Sequence, residues 1–289
     1  MTDRLRILED LRARVREAEG GFGDAEARRH VPTGIAALDG ALPGGGLPAG
    51  ALVEILEEED PSGAWTLACI AAREAARDGG VVFWIEAARR REKHHHLNRR
   101  LCDRLYPRAA VALGLDPARL LVVRAGSAAD AFWAFDQAIR SRGVAASIAS
   151  LRGLGAPETR RLQLAAEKGG GLAILVRPER EAAVPSTAAV RLRVRAAASP
   201  GEPDLAPALG PRRFAVEVAR ARGGFPAAAV EVALDDESGE AIGGDTASRG
   251  DTVFREDTVF RGNTSLRGLP GVPAALRGPG VPRRRSASA

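Results

Sequence analysis

The residues whose types and spacing come nearest to a chemical motif lie between Gly50 and Thr66. A phosphate-binding loop of the form G-x-x-x-x-G-K-[ST] cradles phosphates on backbone amides, sets a lysine on the β/γ-phosphates and a hydroxyl on Mg²⁺. Here an apolar strand, Ala51-Leu-Val-Glu-Ile-Leu56, runs into Glu57-Glu-Glu-Asp-Pro-Ser-Gly-Ala-Trp-Thr66. With Gly63 as the second glycine, the first glycine falls on Glu58, the lysine on Ala64 and the hydroxyl on Trp65. The acids Glu57 to Asp60 would repel a triphosphate at close range. The frame of a nucleotide site is present, and its cation and hydroxyl are not.

Other chemistry has less support. His94-His95-His96 point in different directions on regular structure, and no Cys or carboxylate stands at i+4 spacing to complete a metal site. Cys69 and Cys102 lack metal-ligand spacing and are too few for a disulfide framework, so both are expected reduced and mostly buried. No catalytic residue, metal or cofactor is therefore expected. A basic segment, Arg89-Arg90-Arg91-Glu-Lys93 with Arg99, Arg100 and Arg104, is suited to a DNA backbone or an acidic partner, since both reward guanidinium forks.

These residues must be positioned by a chain of 289 residues, 45% hydrophobic, long enough for one large α/β domain with tails. Residues 3–19 carry Leu5, Leu8 and Leu11 on one apolar stripe and stop at Gly20-Gly21, the pattern of an amphipathic helix. Beyond a linker to about residue 30, strands expected at Ala51–Leu56, Val81–Ile85, Leu120–Val123, Val144–Ser150 and Leu172–Val176 alternate with helices. The helices are expected at Ala64–Arg77, Leu97–Leu113, Ala128–Arg140 and Pro157–Glu167. That alternation means βαβ units and a mostly parallel sheet. Ala188–Val194, Phe214–Ala219 and Ala228–Leu234 have no helices between them and are expected as antiparallel strands at one edge.

After Asp235 the composition turns to Gly, Ser, Thr, Arg and Pro, with a six-residue repeat at Asp245, Asp251, Asp257 and Asn263. Too few apolar groups remain there to offset chain entropy, so residues 236–289 are expected to be a disordered tail. Net charge is +5, carried almost wholly by arginine, which permits nucleic-acid contact without requiring it. No apolar run approaches the ~20 residues of a membrane span, and the first residues lack a signal-peptide core. A cytoplasmic protein that does not touch membranes is expected.

The order of elements and the words between them resemble the RecA/recombinase ATPase core over residues 30–235. The words are Thr33-Gly34 with Leu38-Asp39, Gly44-Gly45-Gly46-Leu47-Pro48, Gly50-x-x-x-Glu54-Ile55, Leu113–Leu121, Val190–Val194 and Phe225-Pro226. A narrower likeness lies in Arg89-Arg90-Arg91, in Thr159-Arg160-Arg161-Leu-Gln-Leu-Ala-Ala-Glu167, in Pro185–Ala189 and in the short N-terminal helix. These look like the ImuA-type damage-inducible mutagenesis proteins, which are RecA-like and act in translesion synthesis.

The resemblance implies a RecA-like core at 31–235, a helix and linker at 1–30, and a tail at 236–289. It also implies roles that this chain leaves unfilled. The carboxylate that positions the attacking water falls near Ala88, with Glu86 before it. The strand that would carry a Mg²⁺-binding Asp, Val144–Ser150, has no carboxylate, and the phosphate-sensing Gln is replaced by Arg177. The expectation is thus an accessory protein without ATP chemistry. It would work through contacts with an ImuB-type pseudo-polymerase, an error-prone DNA polymerase or RecA recombinase. Leu5, Leu8, Leu11, Arg89, Arg90, Arg91, Arg99, Arg100, Arg160 and Arg161 are the candidate contacts. An unconventional ATPase and a single-stranded DNA-binding module stand as the alternatives.

Overall fold

The computed structural model describes residues 29–58, 62–87, 105–198, 212–224, 227–234 and 241–242. The expected N-terminal helix, the basic segment 89–104 and the repeat-bearing tail lie outside them. All described residues fall in a unit that runs to Arg249, apart from a second unit, Gly250–Ala289.

The strands are β1 (His30–Val31), β2 (Leu47–Pro48), β3 (Leu52–Glu57), β4 (Val81–Ala87), β5 (Leu120–Ala125), β6 (Val144–Ser150), β7 (Leu172–Pro178), β8 (Val190–Ala197), β9 (Arg213–Ala221), β10 (Ala227–Leu234) and β11 (Ala241–Ile242). The helices are α1 (Ala36–Ala41), α2 (Ala64–Ala75), α3 (Pro107–Ala112), α4 (Ala128–Arg140) and α5 (Ala156–Gly169). Strands β3 to β11 form one sheet in the order 11-10-9-8-3-7-6-4-5, while β1 and β2 pair separately. From β8 to β5 every neighbouring pair is parallel, and β9, β10 and β11 extend the sheet antiparallel. The expected α/β architecture is the one observed.

Alternation along β3 assigns the two faces. Val53 and Ile55 join a core under α2 with Ala68, Trp84, Ile148 and Ile174, whereas Leu52 joins Phe135, Ile139, Leu162 and Leu175 under α4 and α5. Two expectations are corrected. First, β8 is parallel to β3, with Val53 opposite Val190, so the antiparallel edge begins only at β9. The reason is that the chain leaving β7 crosses β3 and enters β8 in the same direction, passing one strand by an eleven-residue connection, 179–189, with a 3₁₀ turn in place of a helix.

Second, no helix continues through position 107. Tyr106 is extended and α3 opens on Pro107, whose missing N–H and ring are tolerated in a first turn but not in a helix interior.

Close approach explains the run Gly169-Gly170-Gly171. A Cβ on Gly169 would lie 2.0 Å from the Ile139 carbonyl oxygen and one on Gly171 2.3 Å from that of Val144, while Gly170 takes φ +78 to end α5. The chain then enters β7 against the end of α4.

Candidate functional site

In open α/β sheets ligands bind outside the carboxyl ends of the parallel strands. Here that edge is formed by Glu57, Glu86, Ser150 and Arg177 at or near the ends of β3, β4, β6 and β7. Its condition decides what chemistry the fold can perform.

The junction of β3 and α2 brings Glu58, Gly63, Ala64 and Trp65 close in sequence to the strand end. Glu58 is exposed, and its N–H donates to the Val194 carbonyl at 3.2 Å. Gly63 takes φ +88, and a Cβ there would meet the buried Phe214 ring at 2.7 Å. Ala64 is fully buried. Trp65 turns into the core against Trp84 of β4, with ring centroids 4.9 Å apart and planes tilted by 34°. Such a pair adds about 0.5–1.5 kcal/mol beyond the burial of its area. Both indole N–H groups are buried without an acceptor among the described residues.

The charged groups at the other strand ends are already engaged. Glu86 is buried, accepts the Leu105 N–H at 2.8 Å and pairs with Arg124 at 3.2 Å. It ties β4 to β5 and to the segment entering α3, which is a structural role.

Arg177 is the largest fully buried side chain of the molecule's described part. Its guanidinium donates to Glu54 at 2.9 Å, to the Leu154 carbonyl at 2.8 Å and to Glu181 at 2.8 and 3.0 Å. Glu54, also fully buried, further accepts Ser186 Oγ at 2.7 Å and Arg191 Nε at 2.8 Å. Arg191 caps the Ala182 and Val184 carbonyls, and Glu181 receives the Gly153 N–H.

One network therefore joins β3, β7 and β8 to the loops at 151–155 and 179–189. A buried charge is tolerated only when paired and hydrogen-bonded, a condition Arg177 and Glu54 both meet. The segment between β7 and β8 is fixed by these bonds, with a short 3₁₀ turn at Glu179–Glu181.

The word that begins at Thr159 is chiefly a packing face. Thr159, Leu162, Gln163 and Ala166 are buried on one side of α5. Gln163 accepts the Leu52 N–H at 3.0 Å and donates to Glu167 at 2.9 Å, and Thr159 accepts the Thr187 N–H at 3.2 Å. Arg160 is exposed. Arg161 is exposed and forks onto Asp136 of α4, as does the half-buried Arg140. Burial raises the Asp136 carboxyl, but hydrogen bonds and charge from Arg140 and Arg161 outweigh it and hold the group below its ordinary value.

The structure thus gathers Glu58, Gly63, Ala64 and Trp65 at one junction and sets Arg160 and Arg161 on α5. Leu5, Leu8, Leu11, Arg89, Arg90, Arg91, Arg99 and Arg100 lie outside the described residues, as do Ala88, His94–His96 and Cys102. Cys69 is buried, and desolvation pushes its thiol up to about 12. No cluster of three or more His, Cys, Asp or Glu suited to a metal occurs among the described residues.

Sequence reasoning missed the network around Glu54. Its signal was present: an acid inside the apolar strand Leu52–Leu56, an arginine at the end of apolar β7 and another early in β8. Opposite charges on central strands imply pairing.

No protein-family model matches the chain. It is 34% identical over 219 residues to Protein ImuA of Caulobacter vibrioides strain NA1000, an alignment spanning 70% of this chain and 84% of that protein. It is 38% identical over 147 residues to Protein RecA of Acidothermus cellulolyticus, covering 48% of this chain and 38% of RecA. Protein RecA of Francisella tularensis subsp. novicida matches at 34% over 126 residues, 43% of this chain and 31% of that protein. The RecA matches cover less than half of this chain, whereas the ImuA match extends over most of both chains; this chain belongs to the ImuA family.

Proposed function

We propose that this chain is a non-catalytic, RecA-like accessory protein of SOS mutagenesis and translesion DNA synthesis. It works in the cytoplasm through contacts with an ImuB-type pseudo-polymerase, an error-prone DNA polymerase or RecA recombinase. Among the described residues no helix is long and apolar enough to cross a membrane.

The observation that carries this reading is the state of the sheet's carboxyl edge. Phosphoryl chemistry needs a free cation on the phosphates, a hydroxyl or carboxylate on Mg²⁺ and a poised carboxylate or amide. At the corresponding places this chain has a buried Ala64, a Trp65 packed on Trp84, a Glu86 held by Leu105 and Arg124, and an Arg177 locked on Glu54. A RecA-like domain without nucleotide chemistry keeps the outer surfaces by which domains pack on one another, and binding there requires no hydrolysis.

The test is reconstitution of the purified full chain with an ImuB-type protein, an error-prone DNA polymerase and RecA recombinase from the same bacterium, each in turn, read by size-exclusion chromatography with and without ATP. A complex of equal stability in both conditions is expected. A complex that forms only with ATP, or none with any of the three partners, would overturn the proposal.

A further inference from the structure

The outer side of the α4/α5 pair sets exposed apolar groups among cations. Trp133 is 62% exposed on α4 and Leu164 is 42% exposed on α5. A groove of about 430 Å³ lies between the helices, lined by Arg140, Arg161, Leu164, Glu167 and Lys168. Positions 133, 137 and 140 share one side of α4, and 157, 160, 161, 164 and 168 one side of α5, so Arg140 stands on the Trp133 side of α4 and Arg160, Arg161 and Lys168 stand around Leu164 on α5.

Two of these cations are preset. Asp136, almost fully buried, takes Nε and Nη2 of both Arg140 and Arg161, and the Arg161 guanidinium also lies 5.2 Å from the centroid of the Phe132 ring. Nη1 of each remains unbonded among the described residues, as do the head groups of Arg160 and Lys168. Guanidiniums already fixed by a buried carboxylate lose little further freedom on binding. Exposed Trp with arginine is the composition of interface hot spots.

We infer that the α4/α5 groove is the docking surface for an acidic, amphipathic segment of a protein partner, whose apolar side chains cover Leu164 and Trp133 while its carboxylates meet Arg140, Arg160, Arg161 and Lys168. This inference rests on the accessory role proposed above and assigns that role a place. A protein segment fits better than a nucleic acid because Glu167 lines the groove beside Leu164: phosphates recur at every nucleotide and would have to pass that carboxylate, whereas a peptide can set an apolar residue there and keep its own carboxylates for the cations.

The test uses the full chain with the purified ImuB-type protein as probe. Leu164→Asp and Lys168→Glu change exposed side chains, so melting temperatures are expected to match wild type. Arg108→Glu on α3, which packs with the α2 core on the sheet's other face, serves as control. The double substitution is expected to weaken binding at least about tenfold, with the control unchanged. A photo-cross-linker in place of Trp133 is expected to capture a partner peptide in which Asp or Glu alternate with apolar residues.

Wild-type affinity in the double variant, or capture of a basic or neutral peptide, would overturn the docking site and leave the accessory role standing. Failure of the wild-type chain to bind the probe would overturn the docking site, and failure with all three partners would overturn the accessory role as well. If the double substitution abolished binding of a short single-stranded oligonucleotide while the protein complex survived, the surface would be a nucleic-acid site and the inference wrong.

Discussion

Arg177 Nη1 donates to Glu54 Oε1 at 2.9 Å, with both side chains fully withdrawn from solvent. The contact crosses from β7 to β3 at the edge where a RecA-like fold would handle phosphate, and it anchors the loops that leave β6 and β7. A guanidinium so held cannot move toward a ligand without taking one of two arginine partners from the fully buried Glu54.

Removing one member should therefore be costly. Glu54→Leu leaves Arg177 and Arg191 short of a counter-charge, and a loss of about 3–5 kcal/mol in urea unfolding is expected, as for one-sided breaks of buried ion pairs. Glu54→Leu combined with Arg177→Met should lose less than the two single changes summed. Additive losses in this double-mutant cycle would show that the pair is not coupled.

Reinstalling a phosphate loop should fail. Ala64→Lys places an ammonium at a fully buried position, and Trp65→Thr removes a ring stacked on Trp84. Loss of this half-buried ring is expected to cost less than the roughly 3–5 kcal/mol of a fully buried aromatic. The double variant is expected to melt well below wild type and still show no ATP hydrolysis. Measurable turnover in it would mean that the remainder of the site is intact.

Acid stability should report Asp136. Its carboxyl is held below the ordinary value in the fold, so its contribution is complete above the unfolded value, about 3.9, and is lost as pH falls through the folded value. Stability measured by denaturant at stepped pH should show the gap between wild type and Asp136→Asn constant above about pH 5 and shrinking below about pH 4. A gap that widens on acidification would contradict the assignment.

Thiol chemistry should track global unfolding. With Cys102 replaced by Ser, Cys69 is the remaining cysteine, and burial pushes its thiol to about 12. Labelling by a thiol reagent near pH 8 should be slow in the native protein and complete in urea. Fast native labelling would place Cys69 in an opening segment instead.

Much of the fold was legible because its strands are unbroken apolar runs, as in Leu172–Val176, and its helices carry plain stops, as at Gly169-Gly170-Gly171. Val144–Ser150 read weakly as a strand, being rich in Ala and Ser, yet it sits in the middle of the sheet, where small residues fit under packed helices. The direction of β8 was not legible, since strand alternation is the same for parallel and antiparallel pairing. Neither was the partner of Arg161, which stands 25 positions away on another helix. The residue types at Glu58, Ala64 and Trp65 could be read from single positions, whereas Trp65 on Trp84 and Arg177 on Glu54 required the fold to bring distant strands together.

We propose above that this ImuA-family chain has given up nucleotide chemistry at the carboxyl edge of its sheet. Titration of the full-length protein with ATP, with and without Mg²⁺, in an isothermal calorimeter tests it most directly. No heat of binding above dilution is predicted in either condition. Saturable binding at micromolar ATP, strengthened by Mg²⁺, would contradict the account.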